Sequence, residues 1–404
     1  MATAESSITS SDARANTRTM PYSVTRGAQF YRPELDALRF MAFMSVFFCH
    51  ALPFDDARHT HADRAWQWMQ DVREAGNFGV CLFFLLSSYL ITELLRREYL
   101  QTKSVHLKAF YLRRILRIWP LYLSILFFVG GVGVFVRPLH MPAPQFLAYL
   151  LFVGNWYAIL SPAIYNPLNW LWSISVEEQF YIVWPTMAKL GGMRVITIGS
   201  LVCLPMSLLA IGLVERFQQH LEVTLWLNGL VQFQFFAWGA LLAVLLSGTT
   251  PTLSTIDRTA LVAAGGACWL AASGICLLKR PGVDPGLMKV CVGYELVAAG
   301  CVCFFMSALG ASVSGVPKFV IYLGKISYGL YVFHGLALSA MTALRQHIEQ
   351  RLSLHGGVAA SLFVADRISG LGITIAVGML SYKFLERPFL NLKSRFTFVR
   401  SRPV

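Results

Sequence analysis

Apolar residues run along this chain in long blocks with short polar interruptions, and the blocks are too long for the half-buried strands or helices of a soluble core. A helix crosses a bilayer with about 20 mostly apolar residues. Blocks of that size fall near 37–54, 76–95, 115–136, 169–189, 194–214, 223–246, 258–278, 289–311, 322–344 and 366–386. Hydrocarbon offers no partner to backbone N–H and C=O groups, so these blocks predict helices. The block 144–160 is shorter and is broken by Pro144 and by Gly154-Asn155-Trp156, which predicts a re-entrant or interfacial piece on the outer side, or else an eleventh crossing. The expected fold class is an all-α polytopic membrane protein of about ten transmembrane helices plus this extra segment.

Composition sharpens that reading. Of 404 residues, 56% are hydrophobic and only 14% charged, which excludes a soluble protein of ordinary make-up. The net charge of +13 would suit nucleic acid, but the basic residues cluster beside the apolar blocks, so no nucleic-acid partner is expected and they read first as topology signals. Arg14, Arg18, Arg26 and Arg32 precede the first block. Arg96, Arg97, Lys103, Lys108, Arg113, Arg114 and Arg117 fill the connection after the second. Both stretches are expected on the cytoplasmic side, as are Lys189 with Arg194 and the tail carrying Lys393, Arg395, Arg400 and Arg402. Lys279, Arg280 and Lys289 fall outside on this count, against the rule.

Residues 1–30 are polar, lack the apolar stretch and cleavage site of a secretory signal, and are expected to form a disordered cytoplasmic tail. Residues 391–404 form a basic cytoplasmic tail, so both termini are expected inside, around a transmembrane domain at 31–390. With so short a tail, no appended extracytoplasmic domain is expected. The eight cysteines lie in apolar runs without metal or redox spacing, so no metal site is expected.

A charged group near the centre of a membrane helix costs about 2.5–3.5 kcal/mol on insertion scales, so each such residue asks for a reason. Arg39 and His50 are eleven positions apart, about 1,100° around a helix and within about 20° of three whole turns. They share one face, roughly 16 Å apart along the axis, a cation at the entrance and a base further in. The competing reading is a snorkelling arginine and a histidine that ends the span. Arg114 and Arg117 are i,i+3 neighbours whose guanidiniums can fork onto phosphate oxygens together, or simply mark the cytoplasmic side. The adjacent Glu177 and Glu178 cannot face the same way; Glu177 shares a face with Ser173, Tyr181 and Trp184, either to work on a hydroxyl or imidazole or to fix packing by a salt bridge. Lys325, Tyr328 and Tyr331 share a connected face, with His334 three residues on, while Glu386-Arg387-Pro388 reads as an interfacial anchor.

Taken in order, several segments resemble the membrane acyltransferase-3 family, whose members O-acylate polysaccharides, peptidoglycan, lipopolysaccharide, Nod factors and macrolide sugars. They are Tyr31-Arg-Pro-Glu-Leu-Asp36-Ala-Leu-Arg39 with its Arg-X10-His pair, Gly79-Val…Phe83-Phe-Leu-Leu-Ser87-Ser88-Tyr89-Leu-Ile91 and Arg114-X-X-Arg117. Trp172-Ser-Ile-Ser-Val-Glu-Glu-Gln-Phe-Tyr181, Ser327-Tyr-Gly-Leu-Tyr331…His334 and Glu386-Arg-Pro388 follow. The resemblance covers roughly residues 31–390. Where the family usually reads Ser-Gly-Tyr, this chain has Ser87-Ser88-Tyr89, which tightens a close helix contact.

The resemblance implies that His50 is the essential base or acyl carrier, that Arg114 and Arg117 with Arg39 hold coenzyme A from the cytoplasm, and that Glu177 assists. Asp36, Ser173, Tyr181, Tyr331 and His334 are expected to support them. The expected function is transfer of an acyl group, expected to be acetyl, from acyl-CoA as co-substrate to a hydroxyl of a sugar-containing acceptor: a cell-surface polysaccharide, lipid-linked glycan or glycosylated small molecule. No tightly bound cofactor is expected, and the setting is a bacterial inner membrane, with the lipid bilayer, acyl-CoA and a glycan or glycoside as partners. In this mechanism Glu177 orients the His50 ring, which acts as general base on the hydroxyl. The rival class is a transporter or flippase, which would also carry midplane charges but predicts broken helices in corresponding halves; no such internal correspondence is visible.

Overall fold

The computed structural model describes residues 30–52, 64–161, 166–217, 221–278, 283–393 and Phe396. The N-terminal stretch with Arg14, Arg18 and Arg26, the Lys279-Arg280 pair, and the tail residues Arg395, Arg400 and Arg402 lie outside the described residues. Among the described residues the secondary structure is helical and no strand forms.

The helices in chain order are α1 (Pro33–Ala51), α2 (Arg64–Asn77), α3 (Gly79–Thr102), α4 (Leu107–Val132), α5 (Ala143–Leu150), α6 (Gly154–Leu160), α7 (Trp172–Phe217) and α8 (Leu221–Leu227). They continue with α9 (Gly229–Leu246), α10 (Thr255–Gly274), α11 (Leu287–Ala308), α12 (Lys318–Lys325), α13 (Ser327–Leu352), α14 (Gly356–Ser381) and α15 (Arg387–Lys393). Six helical stretches among the described residues are long and apolar enough to cross a membrane: Arg64–Thr102, Leu107–Val132, Asn169–Phe217, Gly229–Leu246, Leu287–Ala308 and Gly356–Lys393. At 19, 20 and 26 residues, α1, α10 and α13 have the length but not the apolar composition. In α1 the cause is visible: Glu34, Asp36 and Arg39 sit in its first half.

Breaks in the helices have local causes. The 46-residue α7 is interrupted at Gly191 and Gly192, and Gly192 has φ +58° with ψ −147°, a conformation open in practice only to glycine. The expected blocks 169–189 and 194–214 lie on either side of it. The expected re-entrant block 144–160 is two short helices, α5 and α6, of 8 and 7 residues, parted by a turn in which Phe152 has φ +56°. At about 1.5 Å per residue neither reaches across a bilayer. The expected block 322–344 starts inside α12 and crosses a second break at Ile326, where φ is −97° and ψ 11°. The amphipathic α2 was not anticipated; it is short and polar, and the charged Arg73 and Glu74 pair with each other on its buried side.

α1 begins with Pro33 in its first turn, whose fixed φ suits a helix start, and with Glu34 and Asp36 near the positive end of the helix dipole. It packs against α2, α3, α12 and α13. The last helical stretch closes on the same end: a π-helical turn at 382–386 follows α14, and α15 then lies against α4. Arg113 on α4 holds the tail there by donating to the Phe396 carbonyl at 2.8 Å. This return brings Lys393 back to the bundle end where α1, α4 and α13 begin.

Candidate active site

At that end six helices leave a cavity with about 1210 Å³ of empty space, mouth included. Helical periodicity decides which side chains reach it. From α3 it is lined by Val80, Phe83, Phe84, Ser87, Leu90 and Leu94, a stripe repeating every three or four residues; α7 contributes Ser173, Ile174, Glu177 and Tyr181 with the same spacing. α1 supplies Asp36 and Arg39, α4 supplies Arg114 and Arg117, and α13 supplies Tyr328 and Tyr331. Eight of the ten residues singled out from the sequence therefore share one cavity, and the last two, His50 and His334, adjoin each other beyond it.

The charges in the cavity are unbalanced. Arg32, Arg39, Arg114, Arg117 and Lys393 face two carboxylates, Asp36 and Glu177. Asp36, 1% exposed, accepts from Arg39 Nη1 at 3.1 Å, one turn away on the same helix, and so fixes where that guanidinium points. Glu177 lies within hydrogen-bonding reach of Tyr181 and Ser87, with Arg114 and Arg39 in electrostatic range. The Tyr181 hydroxyl and Ser87 Oγ are 2.6 Å apart, and the Arg114 guanidinium sits 5.3 Å over the Tyr181 ring. Glu178 faces the other way, as helix geometry requires: it is buried and accepts from Trp119 Nε1 at 3.4 Å.

The neighbouring basic residues separate by role. Arg96 and Arg97 both donate to the fully buried Glu93, at 2.7 and 2.6 Å. Arg113 donates to Glu98 at 2.8 Å as well as to the tail. Arg96 and Arg97 are thus committed within α3, and Arg113 ties α4 to α3 and to the C-terminal stretch, while Arg114 and Arg117, on the next face of α4, turn to the cavity. A cluster of this kind, with an apolar wall along α3 and an excess of cations at the opening, suits a ligand that carries phosphates at one end and a thin, uncharged arm at the other.

The inner end of the cavity is closed by a hydroxyl bridge. Tyr331 donates to the Trp170 carbonyl at 2.9 Å, and its oxygen lies 2.7 Å from Ser173 Oγ. Behind it are the two histidines. His50, in the last turn of α1, brings Nδ1 within 3.1 Å of Nε2 of the fully buried His334, 284 positions away in sequence. The two rings stack at 5.2 Å with a 28° tilt; the Trp170 indole flanks both, at 5.3 and 5.5 Å, and Phe43 meets His334 edge-on. Gly335 makes room for that indole, since a Cβ there would overlap the ring. The mechanism expected from the sequence had Glu177 orienting His50; in the structure the side chain against His50 Nδ1 is His334, and Glu177 sits with the tyrosine, serine and arginines of the cavity.

Three charged residues were not anticipated, and one of them, Arg32, read only as a topology charge yet lines the cavity. Lys393 read as a tail charge, and only the reversal after the π-helical turn carries it to the cavity. Glu386 read as an interfacial anchor; it is 6% exposed, with Ser381 Oγ 3.5 Å away and the charge of Arg117 in range. Among the described residues no cluster of three or more metal-ligating side chains forms.

Comparison with known proteins gives one consistent result. Residues 32–383 match a family described as "Acyltransferase domain". A Bacillus subtilis protein with the provisional name peptidoglycan O-acetyltransferase YrhL is 29% identical over 385 residues, 89% of this chain and 55% of its own. The peptidoglycan O-acetyltransferase OatA of Listeria monocytogenes is 33% identical over 170 residues, 40% of this chain and 25% of its own. A Staphylococcus aureus protein provisionally named an O-acetyltransferase is 32% identical over 165 residues, 39% of this chain and 24% of its own. The matched parts thus span between about a quarter and just over half of these relatives. No solved structure matches the chain.

Proposed function

The chain belongs to the acyltransferase family that its residues 32–383 match, and from that premise we propose that it is a membrane O-acyltransferase taking an acetyl group from acetyl-CoA to a hydroxyl of a sugar-containing acceptor. The observation that carries the reading is the convergence of Arg39, Arg114, Arg117 and Lys393 on one cavity whose inner end adjoins the His50–His334 pair. The coenzyme A phosphates lie against the arginines, two of them on one face of α4 so that both guanidiniums can grip together. The pantetheine arm follows the apolar stripe of α3 toward Tyr331. His50 takes the proton of the acceptor hydroxyl as its oxygen attacks the thioester carbonyl, and returns a proton to the departing thiolate. Glu177, with Tyr181 and Ser87, holds the cation pattern and the polar wall along which the arm runs.

On this proposal the chain makes ten crossings of a bacterial plasma membrane, with both termini and the basic mouth in the cytoplasm, where acyl-CoA is found. The names of the relatives make peptidoglycan the first acceptor to try, with lipid-linked and small-molecule glycosides beside it. The test is direct. Full-length protein in lipid nanodiscs, given acetyl-labelled acetyl-CoA and a panel of glycans, is expected to release coenzyme A in proportion to an added acceptor and to leave label on it as an alkali-labile ester. Acceptor binding or vesicle flux without ester formation would return the chain to the transporter class.

A further inference from the structure

The hydrogen bonds around the two histidines determine which nitrogen of His50 can act. His334 Nδ1 lies 2.5 Å from the carbonyl oxygen of Tyr331, one turn earlier on α13. A carbonyl only accepts, so His334 Nδ1 carries a proton and donates it. In the neutral ring the other nitrogen, Nε2, is then an acceptor. His50 Nδ1, 3.1 Å from that Nε2, must be the donor, and the lone pair of His50 falls on its Nε2. We propose that His334 is a positioning residue that locks His50 in the Nδ1–H tautomer and so assigns Nε2 of His50 as the base of the transfer reaction. This rests on the proposed role of His50 and deepens it.

The surroundings hold the rings in this orientation. His334 is fully buried, and Tyr331, Trp170 and Phe43 confine its ring on three sides, at centroid distances of 5.3, 5.5 and 6.3 Å. Neither imidazole can turn over without breaking the chain of bonds. The chain also ends on a carbonyl, which cannot take up a proton. His334 therefore orients and steadies the His50 imidazolium and carries no proton away. The bookkeeping closes at one nitrogen: the hydroxyl proton moves to His50 Nε2 as the C–O bond forms, and the same nitrogen gives a proton to sulfur as the C–S bond breaks. A wrong tautomer would point an N–H at the hydroxyl and leave nothing to accept its proton, which is the costly kind of error in imidazole catalysis.

The experiment compares His334→Phe, His334→Gln and His50→Ala in full-length protein in nanodiscs. The phenylalanine fills the space without accepting, while the glutamine amide oxygen can stand where Nε2 stood. His334→Phe is expected to lower kcat about a hundredfold, within the range of a misdirected general base, with the acetyl-CoA KM within twofold of the parent. His334→Gln is expected to recover most of that rate, and His334→Phe is expected to cost nothing further in a His50→Ala background. Histidine 15N shifts supply a readout independent of the acceptor: His50 should be protonated at Nδ1 in the parent chain and at Nε2 in His334→Phe. An inactive His50→Ala beside a fully active His334→Phe, or a parent His50 protonated at Nε2, would overturn the tautomer lock alone. Turnover retained by His50→Ala would instead overturn the base on which it rests.

Discussion

The basic cavity and the imidazole pair share α1 and α13, yet they are built in opposite ways. The cavity has surplus positive charge, long side chains and an open mouth; Arg39 is steadied by Asp36, and Arg114 by the face of Tyr181. The pair has little freedom: two short rings meet between three aromatic side chains, one nitrogen is tied to a backbone carbonyl, and Gly335 gives up its Cβ position to Trp170. A site that must seize a polyanion profits from several cations converging on one space. A site that must hold one lone pair toward a hydroxyl profits from rigid walls and fixed tautomers. The difference suggests that binding and chemistry can be separated by mutation, with the Tyr331–Ser173–Trp170 bridge standing between the two regions.

The sharpest way to break that separation is at His50. His50→Ala is expected to reduce turnover by about 10²–10⁴, the usual worth of a general base, with folding and donor affinity unchanged; steady-state rates beside acetyl-CoA binding will check it. Next comes the clamp. Arg117→Ala removes a charged donor that a bound phosphate would use, about 1.5–3 kcal/mol, so the acetyl-CoA KM should rise roughly 10- to 150-fold with little change in kcat. An unchanged KM would return Arg117 to a topology role. The smallest effect belongs to the bridge. Tyr331→Phe deletes the hydroxyl between Ser173 and Trp170, worth about 0.5–1.5 kcal/mol, and should lower kcat a few-fold while leaving donor KM and the His334 contact to the Tyr331 backbone intact.

Local spacing made much of the cavity legible in advance. Arg114 with Arg117, and Glu177 with Ser173 and Tyr181, were placed on common faces by the 100° step of a helix, and those faces do line one space. The opposed directions of Glu177 and Glu178 follow from the same step. The break in α7 at Gly191-Gly192 was legible as the gap between two apolar blocks. Long-range pairing was not legible. Nothing in the order of residues says that His50 meets a ring 284 positions away, so a nearer-looking carboxylate was given the task of orienting it. Lys393 and Glu386 were missed for a related reason: the basic run reads as a cytoplasmic tail and Glu-Arg-Pro as an interfacial anchor until the π-helical turn folds them inward. The split between α12 and α13 also lacks a Pro or Gly signal at Ile326; the close approach of Gly324 to the Asp36 backbone, which seats α12 on α1, appears only in three dimensions.

Titration of acetyl-CoA into the parent chain, His50→Ala and Arg117→Ala, each in the same nanodiscs, addresses the division of labour most directly. The account predicts that His50→Ala, though unable to turn over, binds the donor as the parent does, while Arg117→Ala binds it at least tenfold more weakly. Equal weakening in both variants, or full affinity in Arg117→Ala, would contradict it.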